Sequence, residues 1–202
     1  MDRLHKKTNP KLFDKEVLKI QEALADAFPW LDYSFGICET LTEVQNGKKQ
    51  TSANLYIGKG QYERIQPCEE LGNFSFFTLR DPQEISQRNK NLIKSPFSLI
   101  VWYDTRKVSL PTDERNTEAI KAQILFVLHN LHSPRFTITR IYEKPQNVFA
   151  DYSYDHTQNQ YLMSPFAGLR IDGVIDASIP CMPGRLTRIG SFNNDFNFDF
   201  DR

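Results

Sequence analysis

Apolar positions recur at helical spacing early in the chain. Phe13, Val17, Ile20, Leu24 and Phe28 are separated by steps of four, three, four and four. Such steps place side chains on one face of a 3.6-residue helix, so the pattern predicts an amphipathic helix. Asn9 is placed to cap it, Pro10 suits the first helical position and Pro29 ends it. A second stripe, Ile120, Ile124, Val127, Leu128 and Leu131, predicts a helix over TEAIKAQILFVLHNL. Thr112 or Asp113 is its expected cap, and Ser133-Pro134 closes it.

Between and after the helices the pattern changes to that of strands. ICETLTEVQ and KKQTSANLYIG flank Asn46-Gly47, a strong short-range hairpin signal. Residues 74–79 (FSFFTL) read as a buried strand that Asp81-Pro82 ends. The polar stretch QEISQRNKNLIK reads as a surface loop. After Ser95-Pro96, FSLIVWYD is apolar on both faces, which predicts a central strand. FTITRIY is a further strand. VFADYSY, the turn-like DHTQN and QYLM suggest a hairpin. LRIDGVIDASI alternates Leu169, Ile171 and Ile175 with Arg170, Asp172 and Asp176, the pattern of a half-exposed strand. No repeat of fixed period is present.

Composition narrows the function classes. Apolar residues make up 40% and charged residues 25%, which fits neither a disordered chain nor a membrane protein. Twenty-five basic residues balance 25 acidic ones, whereas a protein that coats nucleic acid needs a positive excess. Fifteen Phe and 8 Tyr suit a β-rich core and adhesive surfaces. The opening MDRLHKKTNPKLF lacks the apolar run of a secretory signal. Cys38, Cys68 and Cys181 form no CxxC and are expected to be reduced thiols, so the chain is expected to fold in a cytosol.

Few residues suggest chemistry. His129 and His132 have metal-compatible spacing but no acidic partner on the same turn, and His near a helix C-terminus also suits the dipole. Asp151, Asp155 and His156, with Tyr152, form a small cluster that could serve acid–base or ion-binding work. The same residue types are ordinary turn formers. Gly58-Lys59-Gly60 lacks the frame of a phosphate loop and reads as a turn. No metal, cofactor-binding or catalytic residue is assigned. Lys11, Lys15 and Lys19 are spaced to share one face at the positive end of the first helix. An acidic neighbour would offset that charge, as would Asp14 and Glu16; a solvated face is the alternative.

The order of elements resembles tail-terminator and tail-completion proteins of tailed bacteriophages. A capped helix ends at Phe28-Pro29-Trp30, strands follow including SLIVWYD, a second helix leads into FTITRIY, and FAGLRIDGVI closes the sheet. The resemblance spans residues 10–179 and carries no catalytic signature. The Asn46-Gly47 hairpin, the polar loop over 82–96 and the C-terminal segment depart from it. It implies a non-enzymatic, ring-forming virion subunit at the head–tail junction or tail end. Its partners would be copies of itself and neighbouring connector and tail proteins, with no cofactor, no membrane and no specific nucleic acid, although DNA would pass through the ring. Such a protein would be made in the host cytoplasm. Two rival expectations are a small enzyme or ligand-binding domain using residues 151–156, and a nucleic-acid-handling accessory protein using the N-terminal lysines, which the zero net charge disfavours.

The expected architecture is an α+β domain over residues 1–179, a mainly antiparallel sheet with two principal helices packed on it and hairpin extensions. Residues 180–202 are expected to form an extended arm. There Phe196, Phe198 and Phe200 alternate with Asn197, Asp199 and Asp201, and Phe192 is in register with them. Period two puts all four rings on one side of an extended chain. The arm is expected to add as a strand to a neighbouring protein, docking on its own sheet being the alternative. Lys11, Lys15, Lys19 and the four phenylalanines are the candidate subunit contacts.

Overall fold

The computed structural model describes residues 3–45, 47–86, 91–108, 116–133, 135–153 and 164–179. The first helix, α1, is Phe13–Ala27, and it buries Phe13, Val17, Ile20 and Leu24, with Phe28 just beyond its end. It starts later than Asn9 and Pro10 predict. Leu12, at φ 45°, turns the chain into the helix, and Asp14 in the first turn accepts from the Lys7 ammonium at 2.6 Å. Phe13 is the first side chain of the stripe to be buried, so packing sets the boundary where a cap alone does not. The second helix, α2, is Thr117–His129. Its cap is Asn116, whose side chain accepts from the Ala119 N–H at 2.7 Å. The expected caps Thr112 and Asp113 lie outside the described residues.

Most of the other described residues in this α+β fold are in strands. The strands are β1 Tyr33–Ile37, β2 Glu39–Gln45, β3 Lys48–Gly58, β4 Gln61–Ile65, β5 Phe74–Leu79, β6 Glu84–Ile85, β7 Leu92–Asp104, β8 Phe136–Tyr142 and β9 Phe166–Ser178. The large sheet runs β1-β5-β7-β9-β8, with β6 beside the start of β7. Its pairs are antiparallel except β1 with β5. A smaller antiparallel sheet, β2-β3-β4, stands against its second face. Gly47 follows Asn46 at φ 75°, a conformation that glycine adopts without penalty, at the predicted β2–β3 hairpin. Gly58-Lys59-Gly60 is the β3–β4 turn, as its composition predicts.

Two cores share the large sheet. On one face, α1 and α2 cover Phe77, Phe97, Leu99, Val101, Leu169 and Ile171. On the other, Ala53 and Leu55 of β3 and Ile65 of β4 cover Phe74, Phe76, Ile100 and Trp102. This explains why FSLIVWYD is apolar on both faces: β7 lies between β5 and β9 with a layer on each side.

Three readings are corrected. The polar stretch over 82–96 is not simply a loop, because β6 pairs with the beginning of β7 and the strand runs on through Pro96. Pro96 is tolerated because its carbonyl accepts from Arg80 just past the end of β5, so its missing N–H faces a place where strand partners change. Of the expected hairpin over residues 148–163, the part beyond residue 153 lies outside the described residues, and its first part is not a strand but the end of a single helical turn, α3 Pro145–Val148, followed by turns. Val148, Phe149 and Tyr152 are pulled into the second core, which a solvent-facing hairpin would leave exposed. Finally, β9 is interior to the sheet, and the predicted alternation of buried and partly exposed positions holds only from Ile171 onward; before it the alternation fails, since Arg170 is only 5% exposed.

Candidate functional site

The buried Arg170 anchors a polar network on the second face of the large sheet. Its guanidinium donates to Asp172 at 2.8 and 3.2 Å, contacts Asp151 at 3.2 Å and donates to the Asn147 carbonyl at 3.2 Å. The Tyr142 ring lies 5.4 Å from it, a cation–π arrangement. Ser98 donates to Asp172 at 2.7 Å. Arg80, just past β5, pairs with Asp151 and lies 3.5 Å from Asp172. Two cations and two carboxylates therefore balance across β9, β7, the end of β5 and the α3 turn. The alternation of LRIDGVIDASI puts Arg170 and Asp172 on one face, but it gives no sign that Arg80 and Asp151 converge on them from distant positions.

Beyond this network along β9 lies a cleft of about 630 Å³. Lys94 and Pro96 of β7, Val174 and Asp176 of β9 and Thr137 and Thr139 of β8 line it, and Leu131, His132, Arg135 and Phe136 bound it at the α2–β8 connection. Lys94 is opposed by Glu84 in the β6–β7 register and lies 4.0 Å from Asp176. Among the described residues, Arg135 and Arg140 make no ion pair, and both are exposed. The cleft thus combines apolar walls from Pro96, Leu131, Phe136 and Val174 with charged groups of both signs, Glu84, Lys94, Arg135 and Asp176.

The two edges of the large sheet differ. Beside β1, the N-terminal segment forms an extra rung: Leu4 bridges to Ser34, Ser34 N–H donates to Arg3 O and His5 N–H donates to Ser34 O. Gln21 of α1 donates to the Ser34 carbonyl at 3.0 Å and locks the same region. Among the described residues no strand pairs with the outer edge of β8. A third surface feature is the β3–β4 turn, where Tyr56, Ile57 and Tyr62 are exposed beside residues 5–9.

The expected contact residues are distributed unevenly. Lys11 precedes α1, so the three lysines do not form one helical stripe. Lys15 and Lys19 are both exposed on α1, and Lys19 is engaged by Glu16 at 2.6 Å and Ser133 at 3.0 Å. Phe192, Phe196, Phe198 and Phe200 lie outside the described residues, as do Asp155, His156 and Cys181. Tyr152 is buried, and burial pushes its phenol pKa up. Asp151 is taken up by the arginine network and Tyr152 by the second core. His129 ends α2 and is exposed, while His132 borders the cleft. Among the described residues, no three or more His, Cys, Asp or Glu side chains come together as a metal site. Cys38 is buried in the second core, and burial pushes its thiol pKa up. Among the described residues no helix is long and apolar enough to cross a membrane. No family model matches the chain, and no curated protein matches it.

Proposed function

We propose that this chain is a structural subunit of a tailed-bacteriophage virion, forming a homo-oligomeric ring at the head–tail junction or the tail end. Its work on this reading is assembly and not catalysis. It would be made in the host cytoplasm and meet neighbouring connector and tail proteins, with DNA passing through the ring and no cofactor held.

The observation that carries the reading is a helix-on-sheet body from which a hairpin projects. The β2–β3 hairpin is packed at its root, where Ala53 and Leu55 are fully buried, yet Val44 near its tip is 69% exposed. Projections of this kind reach a neighbour without disturbing the body they grow from. Lys11 and Lys15, exposed near the start of α1, are further candidate contacts. A ring built from identical subunits uses heterologous interfaces, in which a projection on one copy meets a different surface on the next. The test is a reconstruction of the virion. Density for this chain as a closed ring around the tail axis is expected, and a lone copy or no copy would overturn the proposal.

A second reading has an observation of its own. The cleft beside β8 has a volume typical of small-molecule sites. A ligand-binding or enzymatic domain would use it, and a small molecule retained in native mass spectrometry of the purified chain is its expected mark.

A further inference from the structure

We propose that the outer edge of β8, with the adjoining cleft, receives the C-terminal arm of a second copy of this chain. The inference deepens the ring reading and rests on it, because it names the surface through which one subunit would hold the next.

An exposed strand edge carries unpaired N–H and C=O groups and is a template for another strand. The fold closes the β1 edge with its own residues 3–5, and among the described residues β8 has no such cover. An arm laid along β8 would find the cleft beside it. Leu131, Phe136, Pro96 and Val174 give that cleft apolar walls. Phe196, Phe198 and Phe200 would all turn to one side of an extended arm, so pairing with the edge and filling the cleft are compatible. The acidic residues Asp195, Asp199 and Asp201 would then turn to the opposite face of the arm, away from Glu84 and Asp176 of the cleft.

The point of departure also suits the scheme. β9 ends at Ser178, Asp176 lines the cleft, and Ile179 donates to the Asn91 carbonyl. From there residues 180–190 can span up to about 36 Å when extended. A seven-residue strand such as β8 is only about 24 Å long. The connection can therefore reach an adjacent subunit. If the arm turned straight back onto its own β8 it would run parallel to that strand, since β8 and β9 are antiparallel. Parallel pairing is slightly the weaker. A neighbour's arm is free to pair antiparallel.

The test uses two full-length chains, both with Cys68→Ser and Cys181→Ser, the buried Cys38 being kept. One chain carries Thr137→Cys or Thr139→Cys, both exposed positions on β8; the other carries Phe198→Cys. A disulfide requires Cα atoms within about 7 Å, so it reports pairing and not mere proximity. Mixed and mildly oxidised, the two chains should form a disulfide-linked pair, identified by peptide mass spectrometry. Changing Phe196 and Phe200 to Ser in the second chain should cut the yield about tenfold, and Tyr62→Cys in place of the β8 cysteine should give none. Absence of the link overturns the proposal. So does an intrachain link in a chain carrying both Thr137→Cys and Phe198→Cys when the mixed chains give none. Negative-stain images of the wild-type chain separate the two levels. Rings without the link overturn the arm site alone, and the link in pairs that never close into rings supports the arm site while counting against the ring.

Discussion

Arg170 is held inside the sheet by two carboxylates that differ in their own exposure. Asp172 is 13% exposed and Asp151 is 43% exposed. An ion pair between exposed groups contributes at most about 1 kcal/mol, whereas removing one partner of a buried pair strands the other and costs about 3–5 kcal/mol. Arg170→Met should therefore destabilise the fold by about 3 kcal/mol, since Asp172 would be left to Ser98 and the more distant Arg80. Asp151→Asn should cost about 1 kcal/mol or less. Urea unfolding of the two variants checks the difference. Asp104 poses a titration question instead. It accepts from Arg106 through both backbone and guanidinium, and that guanidinium holds its carboxyl below the ordinary value of 3.8 against the opposing effect of burial. The folded state thus binds this proton more weakly than the unfolded chain. Its stabilisation is full above the unfolded pKa and disappears as pH falls through the lower folded value. Asp104→Asn should be less stable than wild type near neutrality, and the gap should narrow as pH falls from about 4 towards 2. Urea unfolding at a series of pH values measures it; a gap constant over that range would remove Asp104 from the acid response.

At the scale of elements, the β2–β3 hairpin divides into a packed root and an exposed tip. Leu55→Ala should cost about 3 kcal/mol, because the side chain is fully buried against the second face of the large sheet. Val44→Asn, at a position 69% exposed, should stay within about 0.5 kcal/mol of wild type. Thermal or urea unfolding distinguishes the two, and a large effect at Val44 would mean that the tip is packed within the subunit. This hairpin also shows what the sequence makes legible. Asn46-Gly47 between strand formers announces the turn, and the stripes at Phe13–Phe28 and Ile120–Leu131 announce both helices, because these signals are local. The layer that the hairpin joins is not local. Its root is buried by residues of β5 and β7 that follow it in the chain, so alternation alone cannot separate an arm from a second sheet. The same limit applies to the site. Arg170 and Asp172 stand two apart and share a face, which the pattern reveals, but Arg80 and Asp151 arrive from the end of β5 and from the α3 turn. The cleft likewise forms only when β6, β8, β9 and the end of α2 converge. Boundaries shifted for a related reason: α1 starts where Phe13 finds its core, and Asn9 is left outside.

For the molecule as a whole, the sharing of one sheet by two cores predicts how it unfolds. β7 sends Phe97, Leu99, Val101 and Tyr103 towards the helices and Ile100 and Trp102 towards the small sheet. Neither core can empty without exposing the other side of the same strand, so the layers should melt as one unit. The two tryptophans report on this separately. Trp30 belongs to the helix-side core, 5.3 Å from the Phe28 ring and 5.7 Å from Tyr103. Trp102 belongs to the other core, stacked 5.6 Å from Phe74 and 5.2 Å from Phe166. In Trp102→Phe the remaining fluorescence follows the helix side, and in Trp30→Phe it follows the small-sheet side. Each substitution lowers stability to its own extent, so the comparison is made within one variant, between fluorescence and far-UV circular dichroism. Coincident urea transitions are expected in both. If in Trp30→Phe the fluorescence changes at a lower urea concentration than the circular dichroism, the small sheet detaches first, and the second layer is an independent unit resting on the large sheet.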